Sequence, residues 1–261
     1  AAAKLAISQQ AAGAVNAVNF TTQPQITVQD VSGNTITDST ATITASLTGA
    51  TLGGTTAVNA NAGIANFTNL KLTGSSASYT LVFTSPGLTQ ISQSITVTAG
   101  AATQLTITGS ASAANAQALA SQPIVTIKDA SGNVVDTSTA TVTLTATGAA
   151  ISGNTSMAAV AGVANFAGQG VTLTGLAGAK TITATITSPS TITANLSVTL
   201  TFGTATKLAV SSASVNATNR VAFASQPTIT VQDVSGNTVT SAVTSIGASV
   251  TSANAANVTL N

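Results

Sequence analysis

The sequence predicts an all-β chain of tandem antiparallel β-sandwiches whose third copy is incomplete. Three observations carry that reading. Short segments alternate apolar residues with threonine or serine, the two-residue period of a half-buried strand. The same landmarks return about once every hundred residues: Gln23-Pro24, Gln122-Pro123 and Gln226-Pro227 stand 99 and 104 residues apart. No segment shows the 3.6-residue period of an amphipathic helix.

The repeat is domain-sized, too long for a solenoid unit. Asp30, Asp129 and Asp233 keep the spacing of the Gln-Pro pairs, "GIANF" at 63–67 returns as "GVANF" at 162–166, and "TSP" at 84–86 returns at 187–189. The joints match as well, with "AAAKL" at 1–5, "AATQL" at 101–105 and "TATKL" at 204–208. These landmarks predict sandwiches over 1–101 and 102–204 and a partial copy over 205–261.

Within the first copy, "KLAIS", "QITVQD", "TITASLT", "AVNAN", "IANFTNLKL", "SYTLVFT" and "ISQSITV" read as seven strands. "TITASLT" places Ile43, Ala45 and Leu47 on one face and threonine and serine on the other. β-branched threonine favours extended backbone and keeps the outer face soluble without charge. The pattern predicts Ile43, Leu81, Phe83 and Val97 in one core and Val142, Leu144, Ile186 and Val198 in the next, with Phe67 and Phe166 as equivalent core aromatics. Seven short strands per hundred residues is the count of an immunoglobulin-like sandwich.

The turn "QDVSGN" at 29–34 recurs unchanged at 232–237, with "KDASGN" at 128–133 between them. Aspartate suits the first position of a turn because its carboxylate accepts from backbone N–H groups just ahead, and glycine supplies positive φ. The turn is chemically complete without a metal.

The order of these motifs, from the opening "KLAIS" through the Gln-Pro pair, the D-x-S-G-N turn, G-x-A-N-F and T-S-P to the closing "TKL", resembles the bacterial immunoglobulin-like repeats of surface proteins. These are the invasin- and intimin-type and filamin-like tandem modules of adhesins and surface-layer proteins. The resemblance covers two whole repeats. It implies a strong assignment of fold and, for function, a setting at the cell surface. Some similar adhesin domains carry a Lys–Asn isopeptide bond; Lys4 and Lys207 open first strands here, but Gln104 takes that place in the second repeat.

Composition narrows the function classes. Only 4% of residues are charged, against about 25% in ordinary soluble domains. The chain has no His, Cys or Trp, and all five acids are aspartate. The usual general bases, thiol nucleophiles and soft metal ligands are therefore missing, so no enzyme and no cofactor is expected. Lys4, Lys71, Lys128, Lys180, Lys207 and Arg220 are scattered singly at a net charge of +1, which offers no basic surface for nucleic acid. No apolar run is long enough to span a membrane as a helix.

Two further site classes follow from the residues. Asp30 with Asp38, and Asp129 with Asp136, could bring two carboxylates together beside a hairpin; two carboxylates with carbonyls would hold calcium only weakly. Asn19, Asn66, Asn154, Asn195, Asn216 and Asn257 each begin an N-x-Ser/Thr triplet, the acceptor pattern for glycan.

A near-neutral, weakly charged surface favours association. The expected function is a structural protein of the prokaryotic cell surface, a surface-layer or extracellular fibre subunit built by packing of tandem modules. Copies of itself are the expected partner, with glycans as a second class. The alternative is an adhesin stalk presenting a binding tip elsewhere in a longer chain. The third repeat stops at Asn261 before its equivalent of "GIANF", which would leave an apolar sheet face bare unless a longer native chain, the favoured expectation, or a neighbouring subunit supplies the missing strands. Ile246, Val250, Val258 and Leu260 are therefore the expected assembly contacts.

Overall fold

A computed structural model describes residues 1–215, 218 and 221–249. The first repeat contains β1 (Lys4–Gln9), β2 (Ala14–Val15), β3 (Gln25–Gln29), β4 (Thr42–Ser46), β5 (Thr51–Gly53), β6 (Ala57–Asn59), β7 (Ile64–Asn66), β8 (Lys71–Thr73), β9 (Ser78–Thr84) and β10 (Ile91–Thr98). They form a three-stranded sheet ordered β1-β3-β7, a five-stranded sheet ordered β2-β10-β9-β4-β6, and a small β5-β8 ribbon.

The second repeat copies this plan with β11 (Gln104–Thr108), β12 (Ser112–Ala114), β13 (Ile124–Lys128), β14 (Thr141–Thr147), β15 (Ala150–Ser152), β16 (Ser156–Ala158), β17 (Val163–Asn165), β18 (Thr172–Thr174), β19 (Gly178–Ile186) and β20 (Ile192–Thr201). Its sheets are β11-β13-β17 and β12-β20-β19-β14-β16, with a β15-β18 ribbon. The third begins with the antiparallel pair β21 (Lys207–Ser212) and β22 (Thr228–Gln232). No helix among the described residues is long and apolar enough to cross a membrane.

All eight aliphatic and aromatic residues placed in the two cores by alternation are buried, as are Phe67 and Phe166. Each whole repeat has its own apolar cluster, one running from Leu5 to Val97 and the other from Ala102 to Leu200. In the first, the Phe67 and Phe83 rings pack at 5.5 Å and 52°, the tilted arrangement aromatic pairs favour.

Besides the additional short strands β5 and β15, the architecture differs from seven antiparallel strands in two ways. First, the segment "IANFTNLKL" is not one strand: it breaks into β7, which pairs with β3, and β8, which pairs with β5. The Gln-Pro motif explains the break. The Gln23 side chain accepts from Leu70 N at 2.9 Å and donates to the carbonyls of Leu70 and Phe20 at 3.0 and 3.1 Å. A side-chain amide thus stands in for a strand neighbour where the chain changes sheets. Gln122 does the same, accepting from Val171 N at 2.7 Å and donating to Leu119 O and Val171 O at 2.8 and 3.2 Å.

Second, the short strands β2 and β12 run parallel to the last strands β10 and β20. Their lengths of two and three residues hide them from a two-residue period. Their consequence is positional, because each delivers an asparagine to the end of its repeat.

Leu208 of β21 is 56% exposed, against 3% for Leu5 and 8% for Leu105 at the equivalent places. Ile246 is 43% exposed and borders a shallow hollow with Leu208 and Val231. Val250, Val258 and Leu260 lie outside the described residues.

Candidate functional site at the joints between repeats

The second and third copies of the recurring turn are where successive repeats meet. In each copy the strand before the turn ends at residue 29, 128 or 232, and the chain re-pairs through bridges Gln29–Thr35, Lys128–Val134 and Gln232–Thr238. Gly33, Gly132 and Gly236 hold φ of 93°, 85° and 92°, a region open to glycine at little cost. Lys4 Nζ donates to Val31 O at 3.4 Å, Gln104 Nε2 to Ala130 O at 3.3 Å and Lys207 Nζ to Val234 O at 3.2 Å. The two first-strand lysines and Gln104 therefore brace the turn through its backbone.

The preceding repeat presents the complementary half. Strand β2 lies against β10, so Asn16 N donates to Thr98 O at 2.9 Å, which sets Asn16 beside Gly100. The Asn16 amide is fixed by accepting from Gly74 N at 2.9 Å. The next residue, Ala17, has φ of 63°, a left-handed conformation that costs a non-glycine residue about 1–2 kcal/mol. The second repeat repeats all of this with Asn115, Thr201, Gly175 and Ala116, the last at φ 59°. A side chain on Gly100 would bring its Cβ within 2.9 Å of the Asn16 carbonyl oxygen. Gly203 is confined more tightly still by the Asn115 carbonyl.

The two halves meet on the aspartate. Asp129 Oδ2 accepts from Asn16 Nδ2 at 2.8 Å, Gly100 N at 2.8 Å and Asn133 Nδ2 at 2.9 Å. Its Oδ1 accepts from Ser131 N and Asn133 N, both at 2.9 Å. Three further bonds cross the joint: Asn16 Nδ2 to Ser131 Oγ at 2.9 Å, Asn133 Nδ2 to Gly74 O at 2.9 Å and Ser76 N to Asn133 Oδ1 at 2.8 Å.

The second joint is built from the same parts. Asp233 accepts from Asn115 Nδ2, Gly203 N, Asn237 Nδ2, Ser235 N and Asn237 N, at 2.9–3.0 Å. Asn237 donates to Gly175 O at 3.0 Å and accepts from Ala177 N at 2.7 Å. Asp129 and Asp233 are 1% and 0% exposed. Burial alone would push the Asp129 carboxyl up. The hydrogen bonds from Asn133, Gly100 and Asn16 outweigh it and hold the group at about 2. Asp233 is likewise held well below the usual carboxylate range, with burial opposed by Gly203, Asn237 and Asn115.

Asp30 shares the turn but not the joint. Its carboxylate accepts from Asn34 N at 2.8 Å and Asn34 Nδ2 at 2.9 Å, and the Asn34 side chain lowers its pKa. Among the described residues nothing outside its own turn binds it.

The other candidate residues scatter. Asp38 and Asp136 are exposed, and Asp136 borders a shallow hollow beside the first joint with Ser76 and Thr96. No cluster of three or more acidic, His or Cys side chains occurs among the described residues. Asn19, Asn66, Asn154 and Asn195 are all exposed. Asn66 accepts from Gln25, Asn154 donates to Gln169 and Asn195 accepts from Thr183. Asn216 and Asn257 lie outside the described residues.

The paired asparagines Asn16 and Asn115 and the strand-end glycines Gly100 and Gly203 were not expected as functional residues. The signal for them is present in the sequence: "NA" stands at 16–17 and 115–116, and Gly100 and Gly203 each stand four residues before the first-strand Gln104 or Lys207.

No family model matches the sequence, and no curated protein matches it. Solved structures do align with it. An Escherichia coli adhesin, FdeC, is 18% identical over 92% of this chain and 77% of its own, with a TM-score of 0.46. InvD of Yersinia pseudotuberculosis is 19% identical over 90% and 72%, with a TM-score of 0.44. Domains 5–6 of the S-layer protein SbsC are 16% identical over 77% and 99%, with a TM-score of 0.30. The solved structures similar to this chain thus include a bacterial adhesin and domains of a surface-layer protein.

Proposed function

We propose that this chain is a structural protein of the prokaryotic cell surface, in which tandem modules are held end to end in fixed orientation and pack against copies of themselves in a surface layer or fibre. The modules are residues 1–101, 102–204 and a third beginning at 205. The carrying observation is that both joints share one network, each centred on a buried aspartate with five donors. Buried charge on this scale is expensive unless fully hydrogen-bonded. A free linker would not incur that cost, so the network acts to fix orientation.

Packing between copies is supported by the 4% charged residues, since such a surface resists association poorly. The exposed Leu208 and Ile246 are the described part of the proposed contact surface. The chemistry of the chain supports no catalytic role: its acids either cap turns or stand alone. The asparagine triplets at Asn19, Asn66, Asn154 and Asn195 are open to glycan on exposed surface.

The joints themselves favour a second reading, an adhesin stalk, because an in-line network suits a spacer as well as a lattice. Electron microscopy of the purified chain over a concentration series separates the two. Ordered sheets or fibres support the packed assembly, and monomers that persist at high concentration support the stalk.

A further inference from the structure

We propose that the Asp30 turn is a preformed end-on interaction surface that engages a further repeat of this kind when one is joined in line on its amino side, with that repeat offering an asparagine amide and a strand-end glycine N–H to the Asp30 carboxylate. The inference rests on reading the joints as devices that fix successive repeats.

The Asp30 turn shares the backbone closure and the asparagine contact of the two engaged turns, but has neither their partner nor the serine N–H bond that Ser131 and Ser235 give the carboxylate. Its sequence is that of 232–237. Gly33 N donates to Asp30 O at 3.1 Å, as Gly132 does to Asp129 O at 3.0 Å and Gly236 to Asp233 O at 3.1 Å. The Asn34 side chain is already turned onto the carboxylate at 2.9 Å, as are Asn133 and Asn237.

What Asp30 lacks is the set that the preceding repeat supplies elsewhere. Asp129 gains an asparagine amide and a glycine N–H, and Asn133 gains a carbonyl and an N–H. Among the described residues Asn34 makes neither of the last two contacts. A surface ordered before its partner arrives loses little freedom on docking.

Spacing decides that the partner is joined in line. Gly100 and Gly203 each stand four residues before the first-strand residue that braces the turn. Lys4 is that residue in the first repeat, so a glycine bonded to Ala1 would keep the same spacing. A handful of polar bonds, each worth little net in water, would not hold a separate molecule against the cost of association. Covalent attachment supplies the effective concentration that makes them sufficient.

The test extends the full chain at its amino end with a copy of residues 101–203, so that the copied Gly203 precedes Ala1. Carboxyl titration by NMR should show the Asp30 midpoint moving down to that of Asp129 in the same molecule. Exchange of the new glycine amide should slow by about tenfold or more. Asn115→Ala within the added copy should return Asp30 to its value in the parent chain. An Asp30 that titrates in the extended chain as in the parent overturns the proposal, and so does an extended chain indifferent to that asparagine. Binding of the Asp30 turn by a separate, unlinked copy at micromolar concentration overturns the in-line assignment. Asp129→Asn in the parent chain is the control. If it leaves the orientation of the first two repeats unchanged, the reading of the joints fails; if it loosens them while Asp30 stays indifferent, this inference alone fails.

Discussion

A buried carboxylate with five donors behaves differently from the same residue on a surface turn, and the chain contains both. Replacing Asp129 by Asn keeps the size but points an N–H₂ at groups that are themselves donors, and removes the charge that makes such bonds strong. We expect Asp129→Asn to weaken the first joint by about 2–4 kcal/mol, read as loss of coupled unfolding between the first two repeats. Asp30→Asn should have a smaller effect, because only its own turn is touched. Asp129 also carries a pH dependence. Its folded pKa of about 2 lies below the ordinary 3.8, so the unfolded or undocked state binds protons more readily. The stabilisation is complete above about pH 5 and is lost progressively as pH falls toward about 2. The relative orientation of the repeats, followed by residual dipolar couplings, should therefore hold at neutral pH and relax in that acid window. Chelators should leave the melting temperature unchanged, because the Asp129 oxygens are already filled by N–H donors.

At the scale of elements, the Gln-Pro motif and the core aromatics make separate predictions. Gln122→Ala removes the amide that closes the gap between β17 and β18 and leaves Val171 N–H unpartnered in a largely enclosed place, at a cost of about 1–3 kcal/mol. Phe166→Ala opens a cavity in the second core and should cost about 3–5 kcal/mol in chemical denaturation. A loss under about 1 kcal/mol would place the ring outside the core. The long strands were legible because their alternation is strict: Ile43 and Ala45, or Val142 and Leu144, cannot slip by one residue without turning the core outward. Strands β2 and β12 were not legible, since two or three residues carry no period. The break in "IANFTNLKL" was hidden for another reason: a side chain from Gln23, distant in sequence, decides it. The joint was half legible. The turn aspartates and their capping role can be read from the D-x-S-G-N pattern, but the partners Asn16 and Gly100 are brought together only by the parallel pairing of β2 with β10.

For the molecule as a whole, the joints and the surface predict different observables. Each joint couples a turn of one repeat to the far end of the repeat before it, so disturbance at one joint should propagate as a change of orientation and leave the cores intact. Asn16→Ala tests this cleanly. Asn16 is 3% exposed and bonds Gly74 N, Asp129 and Ser131, yet it contributes nothing to either apolar cluster. The variant should cost the first repeat about 1–3 kcal/mol, because Gly74 N–H loses its acceptor, and leave the second repeat at its parental midpoint while the scattering profile broadens toward that of two modules on a flexible link. Loss of second-repeat stability in proportion to loss of orientation would mean that the repeats do not fold as separate units. Parental scattering with parental stability would mean that the asparagine does not fix the joint, and the end-to-end reading of this chain would fail with it.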